Sequence, residues 1–111
     1  MGLPATRQVV VVHFPFSDLS ASKLRPALVL AEAGRGDWIL CQITSKSYGD
    51  PNAIQLTTAD FAQGSLRLTS YARPGKLFTA HLSLVSSQVG QLSSASFDAV
   101  RSAIVRMLQR S

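Results

Sequence analysis

The sequence predicts a small, mainly β domain closed by a C-terminal helix. Short apolar runs rich in β-branched residues recur from Val9 to Ala80, and clusters of Gly, Pro, Ser and Asp separate them, as strands and turns require. Only the final stretch places apolar residues at helical spacing. A chain of 111 residues, read as a single domain over 1–111, buries a modest core and has little left over for an enclosed cleft.

The first element is Val9–Phe14, a valine-rich run stopped by Pro15 and read as a buried strand. Phe16–Leu24 carries several serines and Asp18 and reads as a loop. Pro26–Ala31 is the second strand, Gly34–Asp37 a tight hairpin connection, and Trp38–Ser45 the third strand. Alternation on that third strand puts Trp38, Leu40, Gln42 and Thr44 on one face and Ile39, Cys41, Ile43 and Ser45 on the other. The second face is expected to be core, and the first ends polar. Lys46–Asn52, with Gly49, Asp50 and Pro51, is a second loop.

Beyond it, Ala53–Leu56 reads as a short strand and Thr58–Gln63 as a helical turn or loop. From Leu66 to Tyr71 the pattern alternates as a half-exposed strand does. Pro74–Gly75 is expected to turn the chain into a further strand, Lys76–Ala80. Leu82–Leu92 is ambiguous, with a short helix interrupted at Gly90 as one reading. From a cap at Ser93 or Ser94, Phe97, Val100, Ile104, Met107 and Leu108 form one apolar stripe, the signature of an amphipathic helix. Asp98 is placed in its first turn and Arg106 and Arg110 in its last, as the helix dipole favours.

Composition narrows the function. The formal net charge is +5, and it is unevenly spread. Up to Phe61, Arg7, Lys23, Arg25, Arg35 and Lys46 are cancelled by Asp18, Glu32, Asp37, Asp50 and Asp60; beyond it Arg67, Arg73, Lys76, Arg101, Arg106 and Arg110 face Asp98 alone. Such asymmetry points to a polyanionic partner or to a solvated basic face. Cys41 is the only cysteine, so no internal disulfide forms, and with His13 and His81 it does not make a Cys-rich zinc site, which leaves a mixed site with carboxylates as the metal option. No apolar run suits a signal peptide or a membrane span, so a cytoplasmic protein is expected. Phosphate-binding glycine loops, the nucleophile elbow and RNA-recognition-motif signatures are absent.

What remains is polar chemistry at strand ends. Arg25 precedes a proline that keeps it extended, so the arginine is offered at the start of the second strand, where its planar fork suits a phosphate. A salt bridge to Asp18 or Asp37 is the structural alternative. Thr44 closes the third strand and offers a directional hydroxyl. His13 alternates with Val9 and Val11 and is read as a hydrogen-bonded structural histidine, and His81 as a surface residue at a bend. Among the aromatic residues, Phe14 is assigned to the core, while Phe16 and Tyr48 fall in loops, where a ring either packs on its own loop or is offered for stacking.

These residues lie within a broader pattern. The stretch Val9 to Leu30 (VVVVHFPFSDLSASKLRPALVL) resembles the opening of the PemK/MazF family of toxin endoribonucleases: a strand, an F-P-F loop, then R-P and a second strand. Cys41 to Ser45 (CQITS) is similar to that family's next strand, Ser70 to Thr79 (SYARPGKLFT) to its S-x-x-R-x-D-K-L-x-T segment, and Val89 to Ser93 (VGQLS) to the entry into its last helix.

The resemblance implies an SH3-like barrel of the PemK/MazF/CcdB type with a C-terminal helix. It also implies a homodimer that cuts single-stranded RNA without metal or other cofactor, by attack of the ribose 2′-hydroxyl, and that a cognate antitoxin neutralises. By the same resemblance Arg25 and Thr44 are the catalytic positions. RNA-binding candidates are Phe16, Ser17, Ser20 and Lys23 around the first loop, Ser45, Lys46 and Tyr48 after the third strand, and Arg73 and Lys76. Two departures stand out. Gly75 replaces the family's aspartate, and Arg7-Gln8 replaces the usual Gly-Asp before the first strand. The alternatives are a gyrase-binding inhibitor of the CcdB type, or an RNA-binding module of this fold that has lost cleavage.

Overall fold

The structure, a computed structural model, describes residues 4–15, 22–47 and 49–110. Its strands are β1 (Gln8–Pro15), β2 (Ser22–Gly34), β3 (Asp37–Thr44), β4 (Ile54–Leu56), β5 (Phe61–Gly64), β6 (Ser70–His81) and β7 (Val85–Leu92), followed by helix α1 (Ser94–Gln109). All pairings are antiparallel, and they join the strands into one strongly curled sheet in the order β4-β6-β3-β2-β1-β7-β5. Between Gly34 and Asp37, Arg35 and Gly36 carry φ of 56° and 82°, the pair of positive values that a two-residue hairpin turn demands. A Cβ on Gly36 would stand 2.7 Å from the His81 ring, so this position also needs glycine for space.

The valine run of β1 is apolar without alternation because both faces of the sheet are covered. Val9, Leu28, Cys41, Ile43, Leu56, Ala72 and Leu92 pack under Phe97, Val100 and Ile104 of α1. On the opposite face Val10, Val12, Ala27, Val29, Trp38, Leu40 and Ala80 form a second cluster. The face of β3 that ends polar at Thr44 is therefore also core at Trp38 and Leu40. Phe14, expected in the core, is half-buried and meets Phe78 edge to face at 4.9 Å between ring centroids.

Several expectations are corrected. Residues 65–69 are irregular, because the alternation there reflects one packed leucine, Leu66, beside exposed neighbours and not a paired strand. Pro74–Gly75 does not reverse the chain. β6 runs through it, and the step from Cys41↔Leu77 to Ile43↔Ala72 accommodates residues 73–76 as a bulge. A proline without an N–H is tolerated where the ladder is already interrupted. After a 3-10 turn at Leu82–Leu84, the ambiguous segment pairs with β1 as strand β7. β2 begins at Ser22, earlier than expected, because residues 22–25 pair with the end of β1.

Helix α1 starts where expected, with the Ser93 hydroxyl accepting the Ser96 N–H. Asp60, at the end of the Thr58–Asp60 turn, secures this junction. Its carboxylate accepts the Thr57 N–H at 2.7 Å and the Ser96 hydroxyl at 2.7 Å, and its carbonyl accepts the Ser93 N–H at 2.9 Å. The Thr57 N–H and then the two hydroxyls hold the Asp60 carboxyl below its ordinary value, against the effect of partial burial. Asp98 lies beyond the first turn and pairs with Arg101, and Leu108 is exposed, so the buried stripe ends at Ile104 with Met107 half-covered. Arg7 takes φ 78° and binds Ser94 through its guanidinium.

Candidate active site

The cleft arises where two paired strands separate. The β2–β3 ladder ends at Ala27↔Gln42. Pro26 has no N–H to continue it, so β2 follows β1 while β3 follows β6 through Ile43↔Ala72 and Thr44↔Tyr71. Between them lies a cleft of about 470 Å³, with Lys23, Leu24, Arg25 and Pro26 on one side and Ile43, Thr44 and Ser45 on the other. Leu66, Arg67, Leu68 and Ser70 complete the wall.

Of the residues singled out in the sequence, Arg25, Thr44, Lys23 and Ser45 come together here. Arg25 is half-buried, which limits the orientations of its guanidinium. Thr44 is only 4% exposed, and its Oγ1 accepts the Lys46 N–H at 3.2 Å. That bond fixes the hydroxyl while leaving its own proton for donation. The Lys46 side chain is exposed next to the cleft without lining it. Phe16, Ser17, Ser20 and Tyr48 lie outside the described residues, as does most of the loop before Lys23.

Arg73 and Lys76 sit elsewhere, in the β6 bulge. The Arg73 Nε donates to Asp50 Oδ2 at 3.1 Å, and the Arg73 carbonyl accepts the Cys41 thiol at 3.2 Å. The Asn52 N–H, the Arg73 hydrogen bond and the nearby Arg73 and Lys76 charges together hold the Asp50 carboxyl below its usual range. Burial pushes the Cys41 thiol up to about 12, which disfavours the thiolate that a nucleophile or metal ligand needs. Gly75 faces α1: a Cβ there would stand 3.4 Å from Met107 Sδ. Gly75 is thus not among the cleft-lining residues.

His13 is exposed, not a buried hydrogen-bonded residue, and stands opposite Leu24 in the β1–β2 pair. His81 caps the Leu82–Leu84 turn, its Nδ1 accepting the Ser83 N–H at 3.1 Å. Among the described residues no three His, Cys, Asp or Glu side chains form a group able to hold a metal ion. No helix among them is long and apolar enough to cross a membrane. Sequence reasoning missed Leu24, Leu66, Arg67, Leu68 and Ser70 as cleft residues. The available signal is the pair of leucines around Arg67, whose spacing fits a half-exposed strand equally well.

A strongly curled antiparallel half-barrel, a C-terminal helix, and an arginine and a threonine at the ends of separated strands define a small SH3-like barrel with an open cleft on one side. The chain belongs to the PemK-like, MazF-like toxins of type II toxin-antitoxin systems, whose family model matches residues 6–108. Among curated proteins none matches this sequence. Among solved structures, a MazE-MazF complex from Deinococcus radiodurans aligns with TM-score 0.79 at 19% identity, over 100% of both chains. MazF from the same organism aligns with TM-score 0.77 at 21% identity, over 99% of this chain and 100% of the other. A mycobacterial endoribonuclease in complex with its cognate antitoxin aligns with TM-score 0.74 at 16% identity, covering 100% of this chain and 98% of that one.

Proposed function

We propose that this chain is a toxin that cleaves single-stranded RNA at the cleft between β2 and β3 and is silenced by an antitoxin occupying the same cleft. The observation that carries the reading is the convergence of Arg25 and Thr44 on one cleft from strands that have separated. In the reaction, the ribose 2′-oxygen bonds to the adjacent phosphorus and gives up its proton to solvent water, while the bond from phosphorus to the 5′-oxygen breaks and that oxygen takes a proton from water. The products are a 2′,3′-cyclic phosphate and a 5′-hydroxyl. Charge grows on the non-bridging oxygens in the transition state, and fixed donors aimed at them supply the acceleration. Arg25 meets that charge with its guanidinium, which keeps its protons and so does not act as base. Thr44 adds a donor whose direction is set by the bond from Lys46.

A donor set of Arg, Lys, Ser and Thr supports a reaction that proceeds without metal. Lys23 extends the positive surface along the path of the RNA backbone, and Ser45 adds a hydroxyl beside Thr44. The exposed Leu77 of β6 and Val105 and Leu108 of α1 supply apolar surface suited to a second copy of the chain. To test the reading, a long single-stranded RNA is incubated with the protein in chelator and its new 5′ ends are mapped. Discrete cuts ending in 5′-hydroxyl and lost in Arg25→Ala support it. Binding without cuts would indicate an RNA-binding module, and no interaction with RNA would redirect attention to a protein target.

A further inference from the structure

The segment between β5 and β6 is irregular yet firmly placed. Leu66 packs against the core beneath α1, and the Ser70 hydroxyl, itself buried, donates to the Leu68 carbonyl at 3.0 Å. Between these two anchors the chain exposes Arg67 and Leu68. Leu68 is 66% exposed, and across the cleft Leu24 is 53% exposed. Two accessible leucines on one cleft, rather than one scattered on the surface, mark an apolar contact area. Arg67 makes no hydrogen bond or ion pair with any described residue. Arg73 and Arg101, by contrast, are each committed to a carboxylate.

We propose that this segment is the nucleotide-gripping wall of the cleft: Leu68 and Leu24 hold an unpaired base by its apolar faces, and Arg67 pairs with a phosphate neighbouring the one at Arg25. The inference rests on the RNA reading above and adds to it a subsite on a loop the family motifs do not mark. Its logic is the usual division of labour on single strands. Charge tracks the backbone, while apolar side chains accept a base face of any sequence. The anchoring by Leu66 and Ser70 matters because a wall that is already ordered binds without further loss of conformational freedom.

The test uses the full chain and a fluorescent single-stranded RNA in which every 2′-hydroxyl is replaced by 2′-O-methyl, so that binding is measured without cleavage. Arg67→Ala is expected to reduce the slope of log affinity against log salt by about 0.7, one phosphate on a single strand. Leu68→Ser is expected to weaken binding on the order of tenfold while leaving that slope unchanged. An abasic nucleotide is then moved along the strand. At one position it should remove the effect of Leu68→Ser, which places the base against that side chain. Both side chains are exposed, and thermal melts matching the parent protein establish that the variants are folded. If the parent binds and cleaves RNA but both variants match it in affinity and slope, the subsite is wrong and the RNA reading stands. If the parent neither binds nor cleaves RNA, both fall together.

Discussion

The cleft between β2 and β3 and the bulge of β6 each carry an arginine that the sequence marks for binding, and they differ in what surrounds the charge. In the bulge, the Arg73 Nε is engaged by Asp50, and its carbonyl is held by a thiol from the core. In the cleft, Arg25 is joined by Lys23, Arg67, Ser45 and Thr44, and among the described residues that line it none is a carboxylate. A charge already neutralised by a carboxylate gains little from a phosphate, whereas cations and hydroxyl donors gathered on one cleft suit an anion. That difference is why the bulge is assigned to structure and the cleft is the site proposed for RNA.

The strongest way to break this contrast is to exchange the two arginines for alanine. Arg25→Ala is expected to lower the rate of RNA cleavage about 10³-fold or more, the scale of a charged donor to a phosphoryl transition state. Arg73→Ala should leave the rate within about threefold, because its removal acts on stability, where a partly exposed pair contributes about 1 kcal/mol or less. Single-turnover cleavage together with thermal denaturation of both variants separates the effects. The reverse ranking of rates would move the active site to the bulge.

Thr44→Val sharpens the cleft side of the comparison. It keeps the shape of a buried side chain and removes the hydroxyl, so a loss of about 10²-fold in single-turnover rate with retained RNA affinity is expected. A matching loss of affinity would instead make Thr44 a binding residue. Cys41→Ala probes the bulge. It removes the donor to the Arg73 carbonyl and leaves a small void, and a cost of about 1–2 kcal/mol in denaturant unfolding is expected with the cleavage rate unchanged. In the parent protein, Cys41 should resist iodoacetamide at pH 8 until denaturant is added, since the thiol is buried and holds its proton well above that pH.

The contrast also shows what the chain discloses before it folds. Arg25 before Pro26 was legible because proline dictates an extended backbone and ends a ladder, and both effects are local. The same holds for the Ser93 cap, the Arg35-Gly36 turn and the strands of apolar residues. The 65–69 wall was not legible, because alternation of Leu66 and Leu68 has two physical sources: a paired strand, or a loop with one leucine packed and one exposed. Pro74–Gly75 misled for a related reason. These residues end a strand only when the partner strand needs their hydrogen bonds, and here β3 steps past them. The burial of both faces at β3 was hidden because period-two alternation between two apolar faces offers no polar side to recognise. Such tertiary facts depend on which strand lies alongside, and no window of local sequence contains that.

The smallest expected effects concern two carboxylates, and pH separates them from the cleft. The Asp50 and Asp60 carboxyls are both held below the ordinary aspartate value of 3.8 in the folded chain. Between the folded and unfolded values the unfolded chain binds more protons, so stability rises with pH through that window. The contribution of both groups is complete above the unfolded value and disappears as pH falls through the folded ones. Melting temperature should therefore be insensitive to these groups from pH 7 to about 5 and fall below about pH 4. Asp60→Asn should melt lower than the parent at neutral pH, because Thr57 and Ser96 lose a charged acceptor at the entrance to α1, and its acid limb should be shallower so that the two curves approach each other near pH 2. Asp50→Asn should show the same convergence with a smaller offset, since its partner Arg73 retains access to water. Parallel melting curves for parent and Asp60→Asn down to pH 2 would show that this carboxylate carries no folding-linked charge, and the junction between the 3-10 turn and α1 would then rest on the Ser93 cap and the backbone bond to Asp60 alone.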